Sequence, residues 1–491
     1  MSWADVQLIA PMIWLAAGGI AVLLVDAFWR REGQGHLTAT AVLFLILAGA
    51  SIAQQIQPGA DASGRVFGGA MVIDGFSHFF NLAFLLVAFL SVAVGSVYFA
   101  REEHPLPEFY PLVLFATVGM MVMAAANDMV TLFVGLETMS ISLYVLAAIQ
   151  RHSLFSNEAG FKYLILGAFS SAFLLYGIAL LYGTTQTLQL DTMLQRVRMD
   201  ASIAGEPLFL VGWALILVGL GFKVALVPFH MWTPDVYDGS PAPVAGFMAA
   251  GVKAASFAAL LRVAWAGTPT FTEQLGPLLV GLAIVTMVFG NIVALAQTNL
   301  KRMLAYSAIA HAGYLLVGVV ASQPRPDDGA AQGVLFYLLT YGLMNVGAFA
   351  LVSLVSRRDE EMAELSGFAG LAKRNPIVAA AMAVFMLSLA GIPPTAGFWG
   401  KLYVFKAAVA EGYVVLAVVA LLNSAVAMFY YLRVIVTMYM REPQHEAYDG
   451  DSVQIGAAMT AAAVALLYFG LAPAPLANLA RQGAAALAAA F

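Results

Sequence analysis

Apolar residues in this chain run for some twenty positions at a stretch, over and over, and that pattern restricts the fold more than any single motif does. A transmembrane helix needs about 20 predominantly apolar residues. Windows of that kind span 7–27, 36–57, 72–100, 108–126, 128–150, 157–183, 205–236, 242–265, 275–297, 302–321, 331–356, 376–408, 413–439 and 454–477, fourteen in all. The fold class is therefore an all-α polytopic membrane protein of about 14 transmembrane helices. Only 10% of the residues are Asp, Glu, Lys or Arg, against about 25% in an ordinary soluble domain. The net charge of −5 comes with no basic stripe of the kind that binds nucleic acid. Zero cysteines exclude disulfides, thiolate zinc sites and ordinary iron–sulfur clusters. There is no Walker loop and no strand, Gly-rich turn and helix to seat a dinucleotide. Any redox chemistry must belong to a partner.

The first span reads as a retained helix, because Met1 to Gln7 carries Asp5 and no Lys or Arg, and the apolar stretch exceeds that of a signal sequence. Basic residues then orient the bundle. Eleven of them, Arg30, Arg31, Arg101, Arg151, Lys301, Arg302, Arg357, Arg358, Lys373, Arg374 and Arg441, fall at the odd connections. Six, Arg65, Arg196, Arg198, Arg262, Arg325 and Arg481, fall at the even ones and the C-terminus. Both termini are expected on the side away from the cytoplasm. Six further basic residues stand well inside spans: Lys162, Lys223, Lys253, Lys401, Lys406 and Arg433.

Short patterns recur at a nearly constant offset, as in transporters built from structural repeats. Val227-Pro228 matches Ile392-Pro393, Leu261-Arg262-Val263 matches Leu432-Arg433-Val434, Tyr144 matches Tyr314, and Tyr163-Leu164 matches Tyr337-Leu338. These matches divide the chain into N-terminal helices 1–3 over 1–107, a first five-helix repeat over 108–265, a second over 275–439, and helix 14 with a tail over 440–491. Five is odd, so consecutive units insert upside down relative to each other. Prolines inside the seventh and twelfth spans remove a donor and clash with the preceding turn, which predicts a broken helix in each repeat. Such breaks persist only where protein or a water-filled cavity covers the freed backbone groups.

An ionisable side chain near the bilayer centre costs about 2.5–3.5 kcal/mol. Glu137, Lys223, Lys253 and Lys401 all fall near mid-membrane, a combined cost of about 10–14 kcal/mol if unpaired and additive. A nearby carboxylate strengthens an ammonium's hold on its proton and burial weakens it, so a lysine whose Glu partner approaches and withdraws can take up and release a proton. Structural ion pairs at helix contacts are the bland alternative for any one of the four. His230, two residues past the first break, and His311 can pass a proton through either ring nitrogen, although a buried histidine is more often a satisfied core residue. Lys162 follows Glu158 at i+4, which a surface salt bridge explains equally well. Lys406 can snorkel. Asp238-Gly239-Ser240-Pro241 reads as a turn, N-cap and first helical residue, Gly-rich spans as close helix packing, and Trp and Tyr near span ends as interface anchors.

Phe222-Lys223-Val224-Ala225-Leu226-Val227-Pro228-Phe229-His230-Met231-Trp232-Thr233-Pro234-Asp235-Val236-Tyr237, then Gln297-Thr298-Asn299-Leu300-Lys301-Arg302-Met303-Leu304-Ala305-Tyr306-Ser307 with His311, and Gly391-Ile392-Pro393-Pro394-Thr395-Ala396-Gly397-Phe398 carry a resemblance. Over residues 70–440 the chain resembles the antiporter-like membrane subunits of proton-pumping NADH:quinone oxidoreductase, respiratory complex I. The stretch Asn157 to Ala168 and the chain length resemble the N type of these subunits, with the M type as the alternative. The resemblance implies that the family's mid-membrane acid is Glu137, its broken-helix lysine Lys223, its next-helix lysine Lys253 and its second-repeat lysine Lys401. Family members often place Pro before the next-helix lysine; this chain has Val252 there, which puts a local helix break in doubt. The resemblance further implies a bacterial cytoplasmic (inner) membrane setting and partners among the other complex I membrane subunits, a neighbouring subunit M and the small K- and J-type subunits. Flavin, iron–sulfur clusters and quinone would sit in partner subunits, with no cofactor in this chain. The related multisubunit cation/proton antiporters are the alternative reading.

Overall fold

The computed structural model describes residues 3–29, 34–57, 63–101, 106–268, 270–355, 363–443 and 452–491. Arg30, Arg31, Arg357 and Arg358, part of the orienting set, lie outside the described residues. Among the described residues twelve helices are long and apolar enough to cross a membrane, and two shorter apolar helices, Phe109–Ala125 and Pro376–Ala390, fall on two further expected spans. The 108–150 region is two helices rather than one, since Asp128 accepts from the Val130 and Thr131 amides and starts Met129–Ala147 afresh.

Burial sorts the helices into a centre and a periphery. Ala242–Ala266, Leu300–Ala321 and Gly329–Val355 are almost wholly enclosed by other helices, whereas Leu154–Thr185, Gly276–Ala296 and Val414–Met440 leave more than half of their residues incompletely buried. A helix apolar on every side belongs either in a protein core or in lipid, and position in the bundle decides which. Where helices pass closest, glycines permit it: Gly119 and Gly135 lie against each other's backbones, and Gly290 lies against Tyr306 and Ala310.

Both expected breaks are present, and each has the same construction. Pro207–Val224 stops at Ala225, in the left-handed region at φ 65°, and Pro376–Ala390 stops at Gly391, at φ 80°. In each, two amides fold back onto the last turn: Ala225 to Phe222 and Leu226 to Gly221, then Gly391 to Ser388 and Ile392 to Leu387. This is the Schellman pattern, which satisfies carbonyls that lipid cannot. The chain resumes as Trp232–Gly239 and as Ala396–Ala410. The first break begins earlier than its proline, so Lys223 stands in the final turn of the half-helix.

Backbone contacts recur along the chain at matching separations. Met129 N donates to Leu188 O and Leu190 N to Asn127 O; Leu300 N donates to Ala363 O and Leu365 N to Thr298 O. Asp128 caps one helix and Asn299, 171 residues later, caps another. Arg262 Nε donates to Ala124 O, and Arg433, again 171 residues later, donates to Leu295 O and Gln297 O.

Three elements were not anticipated from the sequence. A hairpin pairs Gly64–Val66 with Met71–Ile73. Leu190–Met199 is a short amphipathic helix. After Pro473 the tail forms Ala474–Ala490, whose Leu476, Ala480, Gly483, Ala484 and Leu487 bury one stripe. Alanine gives that segment helix propensity without the hydropathy that marks a span. At 238–241 the helix starts at Ala242 with Pro241 in the capping position, and Ser240 offers its carbonyl to Lys301 Nζ at 2.7 Å instead of acting as a side-chain cap.

Candidate functional site

The four mid-span charges stand on four different helices, and the two repeats treat them differently. Glu137 is half-buried on Met129–Ala147 and accepts from Ser171 Oγ at 2.5 Å. Lys223 is buried, and its Nζ donates to Tyr144 Oη at 3.3 Å, over the rings of Tyr144 and Tyr163 at 5.2 and 5.1 Å. Glu137 is the acid whose field reaches Lys223, yet no ion pair joins them among the described salt bridges. Tyr144 is therefore the described hydrogen-bond partner of the Lys223 amine, seven residues, or about two helix turns, beyond Glu137 on the same helix. The aromatic wall is itself braced across the break. Tyr163 stacks on Trp232 at 4.5 Å, and Trp232 Nε1 donates to Phe222 O at 2.9 Å, which ties the second half of the broken helix to the first.

Lys253 is buried at the start of the regular helix that follows a π-helical turn, Met248–Val252. The local irregularity is thus present without the proline, as a π-turn inside a helix that continues to Ala266. Such turns are rare and frequent at functional sites. Lys253 Nζ donates to Ala308 O at 2.5 Å and lies 5.6 Å from the Tyr341 ring.

His311, fully buried, stands between Lys253 and Lys401. Its Nδ1 lies 2.7 Å from Tyr337 Oη and its Nε2 3.0 Å from Tyr431 Oη, which also bonds Ser307 Oγ. Its ring faces Tyr341 and Tyr314, and the charges of Lys401 and Lys253 both reach it. Lys401 Nζ lies 5.1 Å from the Tyr314 ring. Its three donors are all used, on Leu389 O at 2.9 Å, Ala390 O at 3.1 Å and Ser424 Oγ at 2.8 Å. Two of those acceptors are carbonyls at the C-terminal end of the half-helix before the break, where partial negative charge accumulates.

The remaining candidates lie apart. His230 is half-buried and packs edge-on against Phe289 at 4.6 Å, and none of the described hydrogen bonds, salt bridges or ring contacts joins it to the four charges. Lys162 pairs with Glu158 at 2.7 Å, as its i+4 spacing implies, and also with Asp235 at 2.6 Å. Asp235 in turn meets Arg302 at 3.1 Å, and Arg302 meets Asp238 at 3.5 Å. This network joins the two halves of the chain at one face of the bundle. Lys406 is exposed.

Sequence reading missed several participants. Tyr163, Tyr314, Tyr337, Tyr341 and Tyr431 are fully buried and Trp232 nearly so; the sequence singles out Tyr163, Tyr314 and Tyr337 only as repeat matches, and the anchor reading concerns Trp and Tyr near span ends. Trp232 stands nine residues beyond Lys223, but Tyr163, Tyr314 and Tyr341 lie 60 to 88 residues from the lysines they face, which gives no local signal. Arg262, assigned to a span end, is fully buried against Asp74 at 3.0 Å and over the Phe76 ring. Among the described residues no group of three or more His, Cys, Asp and Glu is placed to hold a metal ion.

The family described as NADH:quinone oxidoreductase/Mrp antiporter, TM, matches residues 126–427. A protein of Trichlorobacter lovleyi named NADH-quinone oxidoreductase subunit N is 46% identical over 97% of this chain and 96% of its own length. One of Chloroflexus aggregans with the same name is 42% identical over 96% of each. Among solved structures, a chain of respiratory complex I from Thermus thermophilus is similar at 38% identity and a TM-score of 0.80, covering 95% of this chain and 98% of that one.

Proposed function

The chain belongs to the NADH:quinone oxidoreductase/Mrp antiporter family, and we propose on that premise that it is the N-type, proton-translocating subunit in the membrane arm of a bacterial complex I. The observation that carries the reading is the buried line Lys253, Tyr341, His311, Tyr314 and Lys401, which crosses the middle of the bundle between the two breaks. An ionisable group at such depth is by default a functional one, and here titratable and hydroxyl groups follow one another from helix to helix.

In this reading Glu137, Lys223, Lys253 and Lys401 form a relay, and residues 108–265 and 275–439 are the inverted repeats that hold it. The paired contacts at Asp128 and Asn299, and at Arg262 and Arg433, support the repeat. Redox energy released in partner subunits, which carry the flavin, clusters and quinone, alters the interaction of Glu137 with Lys223. The proton on Lys223 passes to Lys253, then by way of His311 and its tyrosines to Lys401, which exchanges with the far side. Tyr144 is the group through which Glu137 and Lys223 influence one another when they are not in direct contact. The exposed apolar residues of the outer helices support docking against neighbouring membrane subunits of the M, K and J types as well as lipid. The complex lies in the cytoplasmic membrane, with both termini outside.

The test is Lys223→Ala in an assembled complex, with proton uptake by inverted vesicles oxidising NADH as the readout. Undiminished pumping per quinone reduced would remove Lys223 from the relay. The family also includes Mrp antiporters, and a chain serving such an assembly would co-purify with no flavin or iron–sulfur subunit. The identity to proteins named as oxidoreductase subunits over nearly the whole chain favours the first reading.

A further inference from the structure

Asp328 lies in the connection 322–328, immediately before Gly329–Val355, and is only 2% exposed. One carboxylate oxygen accepts from the Ala331 amide at 2.8 Å. The other is buried and forms no hydrogen bond of good geometry among the described residues, although the Ala330 and Gln323 amides also act on the carboxylate. A helix cap needs only the first of these, and a buried carboxylate oxygen without a donor is costly unless the group has a use for it.

Its position relative to Lys401 suggests that use. Gly400 lies against Tyr337, and Gly333 lies against Tyr403 and Val404, so Gly329–Val355 and Ala396–Ala410 run side by side in opposite directions. Nine residues separate Asp328 from the level of Tyr337, and at 1.5 Å per residue Asp328 lies about 13 Å from the level of Lys401 along the bundle. Ala396–Ala410 ends in the same region, where Glu411 pairs with Arg325. Lys401 therefore sits at the inner end, and Asp328 at the outer end, of one pair of antiparallel helices.

We propose that Asp328 is the final protonatable group on the outlet from Lys401, releasing the proton on the side of the membrane where both termini lie. The inference rests on the relay reading above. Lys401 as an ammonium gives up one proton and becomes the neutral amine, the Asp328 carboxylate holds that proton as the neutral acid, release to bulk solvent returns Asp328 to the carboxylate, and the next proton along the relay returns Lys401 to the ammonium. The charge that acts on Asp328 is Arg325 in the same connection, which in turn faces Asp327 and is engaged by Glu411 from the adjoining helix. Burial lifts the Asp328 carboxyl to about 6, against the opposing pull of the Ala331 and Ala330 amides and of Arg325. A group of that strength gives up its proton to a solution near neutrality and takes up another without a large barrier in either direction.

Asn and Ser cap a helix as well as Asp does, so Asp328→Asn and Asp328→Ser keep the structural role and remove the proton. Assembled complex is studied in inverted vesicles whose lumen, the outer side, is buffered at fixed values from about pH 5 to about pH 8, and the rate of proton uptake during NADH oxidation is measured. The parent should pump less as the lumen falls through about pH 6. Both variants should pump about tenfold more slowly and lose that limb, and Asp328→Glu should recover it. Parental pumping in the Asn and Ser variants overturns the proposal, as does a flat lumen-pH profile of the parent if neither variant assembles. Lys401→Ala separates the two levels of the argument. If it pumps normally the relay itself fails, whereas loss of pumping in Lys401→Ala with none in Asp328→Asn removes only the outlet.

Discussion

Lys401 Nζ donates to the Leu389 carbonyl at 2.9 Å across the second helix break, and with Ala390 O and Ser424 Oγ it fills all three of its hydrogen bonds. The side chain thus closes the end of one half-helix from a position on the other. Arg would keep the charge and reach the same acceptors but does not release its proton in proteins. Lys401→Arg should therefore assemble while pumping falls about tenfold or more, the effect of about 1.4 kcal/mol on a barrier. Lys401→Ala should in addition lower thermal stability, by about 1–3 kcal/mol for buried carbonyls left without donors. Proton uptake and a melting curve on the same preparations check both.

His311 bridges Tyr337 and Tyr431 through its two ring nitrogens. Phenylalanine at position 311 preserves bulk and removes both bonds. His311→Phe is expected to assemble and to slow proton transfer, while Tyr337→Phe, which leaves the Tyr431 side intact, should have a smaller effect. Equal and parental pumping in both variants would place the histidine among satisfied core residues.

Arg262 and Asp74 form a buried ion pair that fastens the N-terminal helices to the first repeat. Removing one member of such a pair strands a charge and typically costs about 3–5 kcal/mol. Arg262→Leu or Asp74→Leu alone should destabilise the complex by about that amount, and the double substitution by less than the sum. Arg433, its counterpart 171 residues later, has no acid partner among the described salt bridges and is half-buried. Arg433→Leu should cost less, and denaturation of the four variants measures the difference.

Asp191 pairs with Arg65 and links the 64–73 hairpin to the 190–199 helix outside the spans. Burial raises its carboxyl, but the Arg65 guanidinium and the Thr192 amide together outweigh burial and hold it below the usual carboxylate value. A depressed folded value means that the contribution is present above about pH 4, where the unfolded group is ionised, and is lost as pH falls through the folded value. Protection factors for hydrogen exchange at 64–66 and 71–73, each taken against the intrinsic rate at the same pH, should be high at neutral pH and fall in acid, and in Asp191→Asn they should be low at both. Unchanged exchange in the variant would show that the hairpin is held by its backbone contacts alone.

Much of this protein could be read from residue order. Long apolar runs specify spanning helices because lipid leaves the backbone no other partner, and Glu137, Lys223, Lys253 and Lys401 stand out because charge is costly there. The prolines marked both breaks, although the left-handed residues Ala225 and Gly391 determine where each half-helix stops. Pairing was decided only by the tertiary structure. Hydropathy is the same for a helix in lipid and a helix in the core, so nothing local distinguishes Leu154–Thr185 from Gly329–Val355. That Lys223 meets Tyr144 rather than Glu137, that His311 stands between two lysines, and that Arg262 finds Asp74 depend on helix rotation and long-range packing. Those contacts join residues up to 188 positions apart, and side-chain direction across such distances is set by how whole helices interlock.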